Sequence, residues 1–436
     1  MNYVADFHIH SKYSRATSKN MNLEKLNEWA KIKGIQVLGT GDFTHPQWFK
    51  ELQKKLEPAE EGLYKLKFEI QPRTRHGSGL PSTLRGAGQN SKQETHFVIT
   101  SEISCVYKKN DKARRLHLLI IAPGLETAKK INKRLEGKYN LESDGRPILG
   151  IDAKELAKII LDISPEAMVI PAHAWTPWYA IFGSMSGFNS LEECFEELTP
   201  KIFAIETGLS SDPLMNWQLS KLDNITLISN SDAHSPENLG REANVFNLTK
   251  LNYKNIYQAI RTRKGFEYTI EFFPEEGKYH FDGHRSCGIV FTPEESLKHK
   301  NICPVCKKEL VLGVLHRVND LADRAYGFKP VKAVPYKYIV PLKEIVAEAL
   351  NKTKISKIVD LEYFSLIKNG GSEFHILLDL EEDKLKKITS PEIARGILNA
   401  RREKVTRSSG YDGVYGRISV LNGSDKAKKI SQEKLF

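Results

Sequence analysis

The chain lacks long apolar runs and has few cysteines. No apolar stretch approaches the roughly 18 residues that a membrane-spanning helix needs, so no membrane partner is expected. Asp6, His8 and His10 interrupt the first apolar stretch, which argues against a signal peptide and favours a cytoplasmic protein. Five cysteines in 436 residues are too few for a scaffold held by disulfides.

Acidic residues are outnumbered by basic ones. The chain has 54 Asp and Glu against 65 Lys and Arg, for a net charge of +11. Such an excess is typical of proteins that bind a polyanion such as nucleic acid, and also of proteins with a lysine-rich solvated surface. Charge alone leaves both interpretations open. The length is that of a protein with two or three domains.

Short apolar stretches alternate with helical patterns over the first part of the chain. Asn22, Asp152 and Asn252 stand where helices are predicted to begin, and Gly34 stands where the first of these should end. Repeated strand–helix units of this length predict an α/β fold with a parallel sheet, open or closed. In both forms, chemistry is found at the carboxyl ends of the strands.

Histidines and carboxylates recur at the predicted strands. His8 and His10 are two residues apart, as are Asp232 and His234, so on an extended chain each pair projects to one side. The other candidate ligands follow or lie within short apolar runs, and they are Asp42, His45, Glu102, His117, His173 and Glu206. These ligand types suit Zn, Mn or Fe, and adjacent cations hydrolyse phosphate esters by activating water and neutralising the phosphate.

Some members of this set have a competing interpretation. A buried, hydrogen-bonded polar group that orients a ligand competes with direct ligation most strongly for Glu206. The same alternative applies to one of Asp42 and His45, which lie close together in the sequence.

A second cluster combines histidine with cysteine. Two short knuckles separated by fifteen residues have zinc-ribbon spacing, and the predicted ligands are His284, Cys287, Cys303 and Cys306. A closed site of four protein ligands predicts structural Zn²⁺. His280 and His299 remain alternatives for the histidine ligand. A redox role for the cysteine pair is disfavoured because no thioredoxin-like βαβ unit surrounds it.

Segments around the first cluster resemble the motifs of the polymerase and histidinol phosphatase (PHP) superfamily. The matching segments are Asp6–Ser11, Gly41–His45, Ser101–Glu102, His117, Pro171–His173 and Ser231–His234. The resemblance covers about residues 1–270. It implies an α/β fold of the PHP type, a distorted (β/α)7 barrel, with a cluster of two or three divalent cations (Zn²⁺, Mn²⁺, Fe²⁺ or Mg²⁺).

The resemblance also assigns ligands. By motif they are His8, His10, Glu102, His117, His173, Asp232 and His234. Two departures bear on one metal position. Asp42 and His45 are separated by two residues, where the superfamily usually has an adjacent Asp-His pair. Ser14 and Arg15 occupy the region where a further histidine is often found.

Later segments resemble the DNA repair endonuclease of this superfamily. They are Lys278–Cys287, Cys303–Lys307, Val314–Val318 and Gly410–Gly416. The resemblance implies hydrolysis of the phosphodiester on the 5′ side of deaminated bases (uracil, hypoxanthine, xanthine) or abasic sites in DNA. The expected catalytic residues are His8, His10, Asp232 and His234. DNA carrying such lesions is the expected partner, and a sliding clamp is a candidate protein partner.

Three domains are predicted. Residues 1–275 form the catalytic PHP domain, residues 276–329 a small zinc-ribbon-like domain, and residues 330–436 a C-terminal DNA-binding domain of α/β or helical structure. The candidate DNA contacts are Arg73, Arg75, Arg85, Trp175, Trp178, Tyr179, Arg401 and Arg402. Aromatic residues beside the metals suit a flipped base, and arginines suit phosphates. Core packing is the alternative for the aromatics, and a solvated helix face is the alternative for the C-terminal arginines.

Two other functions compete with the nuclease. A PHP-type phosphatase acting on a small molecule such as histidinol phosphate would use the same metals without needing the zinc element. A non-catalytic DNA-binding module would retain only the structural zinc. Intact ligand motifs favour an enzyme over this module.

Overall fold

The computed structural model describes residues 1–67 and 94–421. Its strands, numbered along the chain, are β1 (Asn2–Asp6), β2 (Val37–Gly39), β3 (Leu56–Glu60), β4 (Leu63–Leu66), β5 (His96–Lys109), β6 (Lys112–Ala122), β7 (Ile148–Leu149), β8 (Met168–Pro171), β9 (Ala204–Glu206), β10 (Thr226–Ile228), β11 (Ala243–Asn247), β12 (Phe266–Glu271), β13 (Asp282–His284), β14 (Ile289–Phe291), β15 (Tyr336–Tyr338), β16 (Thr406–Ser408) and β17 (Arg417–Ser419).

The helices are interspersed with these strands. They are α1 (Leu23–Lys33), α2 (Pro46–Lys55), α3 (Leu125–Glu136), α4 (Ala153–Ile163), α5 (Leu191–Phe195), α6 (Pro213–Asn216), α7 (Tyr253–Thr262), α8 (Pro293–Lys298), α9 (Val314–Leu321), α10 (Leu342–Ala349), α11 (Lys357–Gly370), α12 (Glu382–Ile388) and α13 (Pro391–Arg401). In the part of the chain that the structure describes, every helix is too short or too polar to span a bilayer.

The predicted helix starts are confirmed. The side chains of Asn22, Asp152 and Asn252 each accept a hydrogen bond from a backbone N–H of the first turn, as N-cap residues do. Helix α1 ends at Gly34, whose φ of 89° is a left-handed conformation that glycine adopts without steric cost. These N-caps fix where α1, α4 and α7 begin, and Gly34 fixes where α1 ends.

Seven strands make a ring around the site. Along the ring, β1 is parallel to β2 and β2 to β5, β5 is antiparallel to β6 and β6 to β8, and β9 is parallel to β10. Strand β8 lies beside β9, and a parallel bridge between Ile9 and Ala233, just beyond β1 and β10, closes the ring. The α/β class is confirmed, with the strand number expected of the distorted barrel.

The sheet is mixed, which corrects the prediction of a parallel sheet. Strands β5 and β6 form one antiparallel hairpin of 14 and 11 residues. Strands β11 and β12 extend the sheet antiparallel beyond β1, and the β3–β4 hairpin packs beside β5. Strand β15 joins β12 in parallel, so the range predicted for the C-terminal domain contributes a strand to the main sheet. The three domain boundaries stay predictions.

The C-terminal helices pack against the barrel through a buried ion pair. Lys33 of α1 lies 2.7 Å from the carboxylate of Glu373, and the Tyr363 hydroxyl donates a 2.6 Å hydrogen bond to the same carboxylate. The lysine and glutamate side chains are nearly inaccessible to water. A buried charge needs such a partner, so the pair fixes the position of α11 relative to α1.

The glycine-rich segment Gly410–Gly416 lies against the junction between the barrel and the cysteine cluster. The N–H of Gly410 donates to the carbonyl of Glu275, and that of Gly416 to the carbonyl of Glu276. A Cβ atom at Gly410 or Gly416 would collide with backbone atoms of this junction. The glycines therefore permit a close backbone approach, which accounts for this part of the sequence motif.

Candidate functional site

The first part of the site lies where the chain extends beyond β1 and β10. The N–H of His10 donates a 3.0 Å hydrogen bond to the carbonyl of Ala233, which brings the two segments together. Ile9 packs into the core, so His8 and His10 point to the opposite side of the extended chain. His10 Nε2 lies 3.1 Å, and His8 Nε2 3.8 Å, from Asp232 Oδ1. The spacing rule thus holds for His8 and His10, whereas Asp232 has a left-handed backbone and His234 joins neither ligand group among the described residues.

Glu102 lies at the centre of the site. Its Oε1 is 2.7 Å from His117 Nδ1 and 3.0 Å from His173 Nε2. Its Oε2 is 3.2 Å from His10 Nε2 and 3.5 Å from His8 Nε2. Two groups of donor atoms therefore share this carboxylate, each with all atoms within 4.8 Å of one another. The groups are His8, His10, Glu102 and Asp232, and Glu102, His117 and His173.

Glu102 lies within a strand, whereas the sequence pattern predicted it just after one; His117 lies within a strand, as predicted. Both lie in the middle of the β5–β6 hairpin, where Ser104 faces His117 and Glu102 faces Leu119 across the ladder. The hairpin is antiparallel, so the rule for parallel strands does not apply to it. The remaining ligand-type residues of the two groups do follow strands, and they are His8, His10, His173 and Asp232.

The donor set fits divalent cations. His8 Nε2 is fully buried and has no hydrogen-bond partner among the described residues, which is costly unless an acceptor of its lone pair is present. Imidazole nitrogens and carboxylate oxygens together suit zinc, manganese or iron. A carboxylate common to both groups suits two cations held side by side. The convergence supports the predicted cluster, and the role of each residue as a ligand stays a prediction.

Electrostatics differ among the central groups. Burial opposes ionisation of Glu102, yet its positively charged neighbours, Arg146 and His8 among them, hold the pKa of its carboxyl well below the usual range. Burial lowers the pKa of His117 to about 4, which leaves this imidazole neutral at physiological pH. Metal ligation requires an ionised carboxylate and a neutral imidazole, and Glu102 and His117 have these forms. Against the effect of burial, nearby carboxylates raise the pKa of His8 and His10, so these two imidazoles lose a proton when a cation binds.

Two buried carboxylates contact the Nδ1 atoms of His8 and His10 and so orient these two imidazoles. Both oxygens of Glu206 lie 3.0 Å from His8 Nδ1, whereas Glu102 faces the other ring nitrogen, Nε2. Asp42 Oδ1 lies 3.1 Å from His10 Nδ1. Such carboxylates fix the tautomer and direction of a ligating imidazole. Asp42, predicted as a ligand, therefore orients the His10 imidazole in this structure. Glu206 orients His8, which is the alternative to direct ligation that the sequence left open for it.

Backbone conformation supports this arrangement. Asp42, His173 and Asp232 have φ angles of 49°, 30° and 47°, which residues other than glycine rarely adopt. All three come shortly after a strand. Residues held in such conformations cluster at functional sites, where the surrounding structure compensates the strain.

Replacing Glu206 by glutamine should weaken metal binding. Glu206 Oε2 accepts the N–H of His173 and Oε1 accepts the Asn230 amide, so a glutamine NH₂ would face a donor on either side. Loss of such an orienting carboxylate lowers metal affinity about 10- to 100-fold. Calorimetric titration of metal-stripped protein measures this, with exposed Glu155→Gln on α4 as the control. An affinity equal to that of the wild type would contradict the orienting role.

His45 and His234 join neither ligand group among the described residues. His45 precedes α2 and stacks on Tyr13 at 4.4 Å between ring centroids. The His234 ring lies 4.5 Å from that of His10, and its Nδ1 is 2.9 Å from the carbonyl of Asp232. Its side chain is 31% exposed, so it stands at the rim of the site, where a substrate can reach it.

Arg146 is a site residue that the ligand pattern missed. It donates a 3.1 Å hydrogen bond to Glu102 Oε2 from the loop before β7. Arginine is not a metal ligand, because its guanidinium stays protonated, so a pattern of ligand residue types does not include it. The available signal was the charged stretch of residues 123–150, which precedes the helix predicted to begin at Asp152.

The second cluster also converges. One donor atom from each of His284, Cys287, Cys303 and Cys306 lies within 4.8 Å of the others. The alternatives lie elsewhere, because His299 stacks on Phe291 at 4.8 Å and His280 packs on Phe281. Four ligands of this kind fit a tetrahedral zinc site.

The aromatic residues after His173 divide into core and rim. Trp175 is 1% exposed, donates a 2.8 Å hydrogen bond to Asn216 and packs on Phe182. Its prediction as a DNA contact is therefore wrong in this structure, since its ring belongs to the core. Trp178 is 41% exposed, and the Tyr179 ring lies 4.7 Å from that of His117. These two remain predicted DNA contacts.

The C-terminal arginines also divide. Arg401 donates hydrogen bonds of 2.6–2.7 Å to three backbone carbonyls, those of Ile376, Leu377 and Leu380. Its guanidinium satisfies carbonyls at the end of a helical turn, which corrects its prediction as a phosphate contact. Arg402 is exposed and pairs with Glu382 at 3.0 Å, so it remains a prediction. Arg73, Arg75 and Arg85 lie outside the described residues.

Comparison with known proteins gives partial and full-length matches. The family model of the MJ0043 C-terminal domain matches residues 341–404. The uncharacterized protein MJ0043 of Methanocaldococcus jannaschii is 32% identical to the chain over 258 residues, which are 57% of this chain and 31% of that protein. The chain thus matches less than a third of the length of this relative.

Two solved structures match the chain along nearly its whole length. The lesion-specific endonuclease PfuEndoQ from Pyrococcus furiosus is 31% identical, with a TM-score of 0.82 and 98% of each chain covered. An endonuclease Q complex with a 27-mer duplex substrate, with an abasic lesion at the active site, is 30% identical, with a TM-score of 0.81, covering 99% of this chain and 100% of that one. The protein is a metal-dependent endonuclease and belongs to the endonuclease Q family.

Proposed function

We propose that the protein is a DNA repair endonuclease that cleaves the phosphodiester 5′ to deaminated bases (uracil, hypoxanthine, xanthine) and abasic sites. One observation carries the proposal: a buried cluster with a shared carboxylate lies beside the half-buried ring of Tyr179, which follows the exposed Trp178 in the chain. Metals and a stacking surface for an extruded nucleotide are what such a reaction needs. The full-length likeness to a lesion-specific endonuclease and to a complex with an abasic duplex supports this substrate class.

The residues have distinct tasks in the proposed reaction. Glu102, His8, His10, His117, His173 and Asp232 would hold two or three divalent cations (Zn²⁺, Mn²⁺, Fe²⁺ or Mg²⁺). When bound, such cations neutralise the scissile phosphate and activate water for attack. Glu206 and Asp42 keep the imidazoles of His8 and His10 turned toward the phosphate. No side-chain nucleophile is required.

The other parts of the chain have supporting roles in this proposal. The Cys/His cluster would bind structural Zn²⁺ within residues 276–329, and residues 330–436 would contact DNA, with Arg402 among the candidate contacts. His234, exposed at the rim, is proposed to act on the substrate with His8, His10 and Asp232. A sliding clamp and a cytoplasmic location stay predictions.

Labelled duplexes test the function directly. Each carries one uracil, hypoxanthine or abasic site, and an undamaged duplex of the same sequence is the control. We expect a single incision 5′ to the lesion with added Mn²⁺ or Mg²⁺, and no incision after chelation. Hydrolysis of histidinol phosphate without cleavage of any lesion duplex would contradict the proposal and favour the small-molecule phosphatase.

A further inference from the structure

The Arg146 guanidinium lies beside the carboxylate that both ligand groups share. Its Nη1 is 3.1 Å from Glu102 Oε2, the oxygen that faces His8 and His10. The side chain is 28% exposed, so it is confined at the site yet open to a substrate on one side. This places a fixed positive charge next to the two predicted cation positions.

The loop that carries Arg146 packs against the two side chains that contact His10 Nδ1. The N–H of Gly145 donates a 3.1 Å hydrogen bond to the carbonyl of Tyr13. A Cβ atom at Gly145 would collide with the carboxylate of Asp42 and the hydroxyl of Ser14, so the loop backbone lies directly on them. Because of this close approach, the loop backbone next to Arg146 is held in place beside the residues that contact His10.

An ion pair with Glu102 alone does not account for this placement. A guanidinium has five N–H donors, and among the described residues Glu102 is the acceptor for the side chain of Arg146. When cations bind Glu102, they weaken the attraction between this carboxylate and the guanidinium, which then lies next to positive ions. An anion between them removes this repulsion. A phosphodiester has two non-bridging oxygens that match the donors of arginine.

We propose that Arg146 binds a non-bridging oxygen of the scissile phosphate and stabilises the charge that develops there during cleavage. The inference rests on the proposed function, because it assumes a phosphodiester at the cluster. In the reaction, the oxygen of water forms a bond to phosphorus, the bond to the leaving oxygen breaks, and one proton of water passes to the leaving oxygen. Arg146 keeps its protons throughout and acts by charge and position.

Two variants of the full-length, metal-loaded protein test this role. In single-turnover cleavage of a uracil duplex, Arg146→Gln should slow incision by about 100-fold or more, as loss of one preorganised donor does. Arg146→Lys should recover part of the rate. Bound metal, measured by mass spectrometry, should equal that of the wild type. Arg134→Gln, which removes an exposed charge on α3, is the matched control and should cleave normally.

A neutral substrate separates contact with phosphate from support of Glu102. A methylphosphonate at the scissile position should slow the wild type more than Arg146→Gln, because the variant has already lost the charge contact. Equal slowing of both proteins, a metal content that falls with the rate, or a normal rate for Arg146→Gln would overturn the inference.

Failure of the proposed function has a different signature. If the wild type cleaves no lesion duplex but hydrolyses bis(p-nitrophenyl) phosphate, the lesion specificity is wrong, and the same comparison of Arg146 variants on this phosphodiester still decides the inference. A wild type that hydrolyses neither substrate overturns both proposals.

Discussion

Replacing Asp232 by asparagine should lower the rate of lesion cleavage by about 1,000-fold or more, since a lost metal ligand removes several kcal/mol of transition-state stabilisation. Asp232 Oδ1 lies 3.1 Å from His10 Nε2 and belongs to the four-residue ligand group. Asparagine keeps the shape of the side chain but loses the charge that a cation requires. His8→Ala should have the same effect, because it removes the ligand whose Nε2 is otherwise unpartnered.

DNA binding separates this effect from unfolding. Affinity for the lesion duplex should stay within about fivefold of the wild type, since phosphate contacts along the duplex supply most of it. Single-turnover kinetics and a binding titration at fixed salt measure the two quantities. Asp162→Asn, on the exposed face of α4, is the matched control. Normal cleavage by Asp232→Asn or His8→Ala would show that the cluster is not the catalytic centre.

Replacing Cys303 by serine should abolish zinc binding at the Cys/His cluster and unfold the segment around β13 and β14. Binding of structural zinc is worth about 10 kcal/mol or more, comparable with the entire stability of a domain. Burial opposes ionisation of Cys303, but the backbone N–H groups of Cys306 and Val305 lower the pKa of its thiol, which favours the thiolate that zinc binds. The regular elements around the cluster are short, namely β13, β14 and the six-residue helix α8.

Cobalt substitution reports on this cluster alone. Thiolate ligands give cobalt an intense charge-transfer absorption, whereas the first cluster contains only histidines and carboxylates. Cys303→Ser should lose this band and become sensitive to limited proteolysis within residues 276–329. Cys194→Ala, a buried cysteine outside the cluster, should retain the band. A Cys303→Ser protein with full absorption and wild-type resistance to protease would refute the zinc assignment.

Sequence patterns predicted the composition of both clusters better than their geometry. The pairs His8/His10 and Asp232/His234 were identifiable because one intervening residue sends alternate side chains to one face. Cysteine spacing predicted the second cluster for a similar local reason. Both signals lie within a few residues, so local spacing was enough to find the pairs, although Asp232 has a left-handed backbone and His234 joins neither ligand group among the described residues.

Side chains whose role depends on distant partners were not predictable in this way. Asp42 and Glu102 are both buried carboxylates after or within a strand, but only the packing of β5 against β6 puts Glu102 between the two groups and leaves Asp42 behind His10. Trp175 and Arg401 had residue types suited to DNA, and both are used inside the fold. Tertiary contacts decided these cases, and they are not encoded in local spacing.

The glycine-rich segment Gly410–Gly416 has a consequence for shortened forms of the protein. It crosses the connection between the barrel and the cysteine cluster, far along the chain from both. Deleting it would remove its backbone hydrogen bonds to that connection while leaving every predicted metal ligand in place. Loss of activity in a protein that lacks this segment would then reflect a Cys/His cluster that is no longer held in its orientation toward the barrel, since the residues of both clusters are still present.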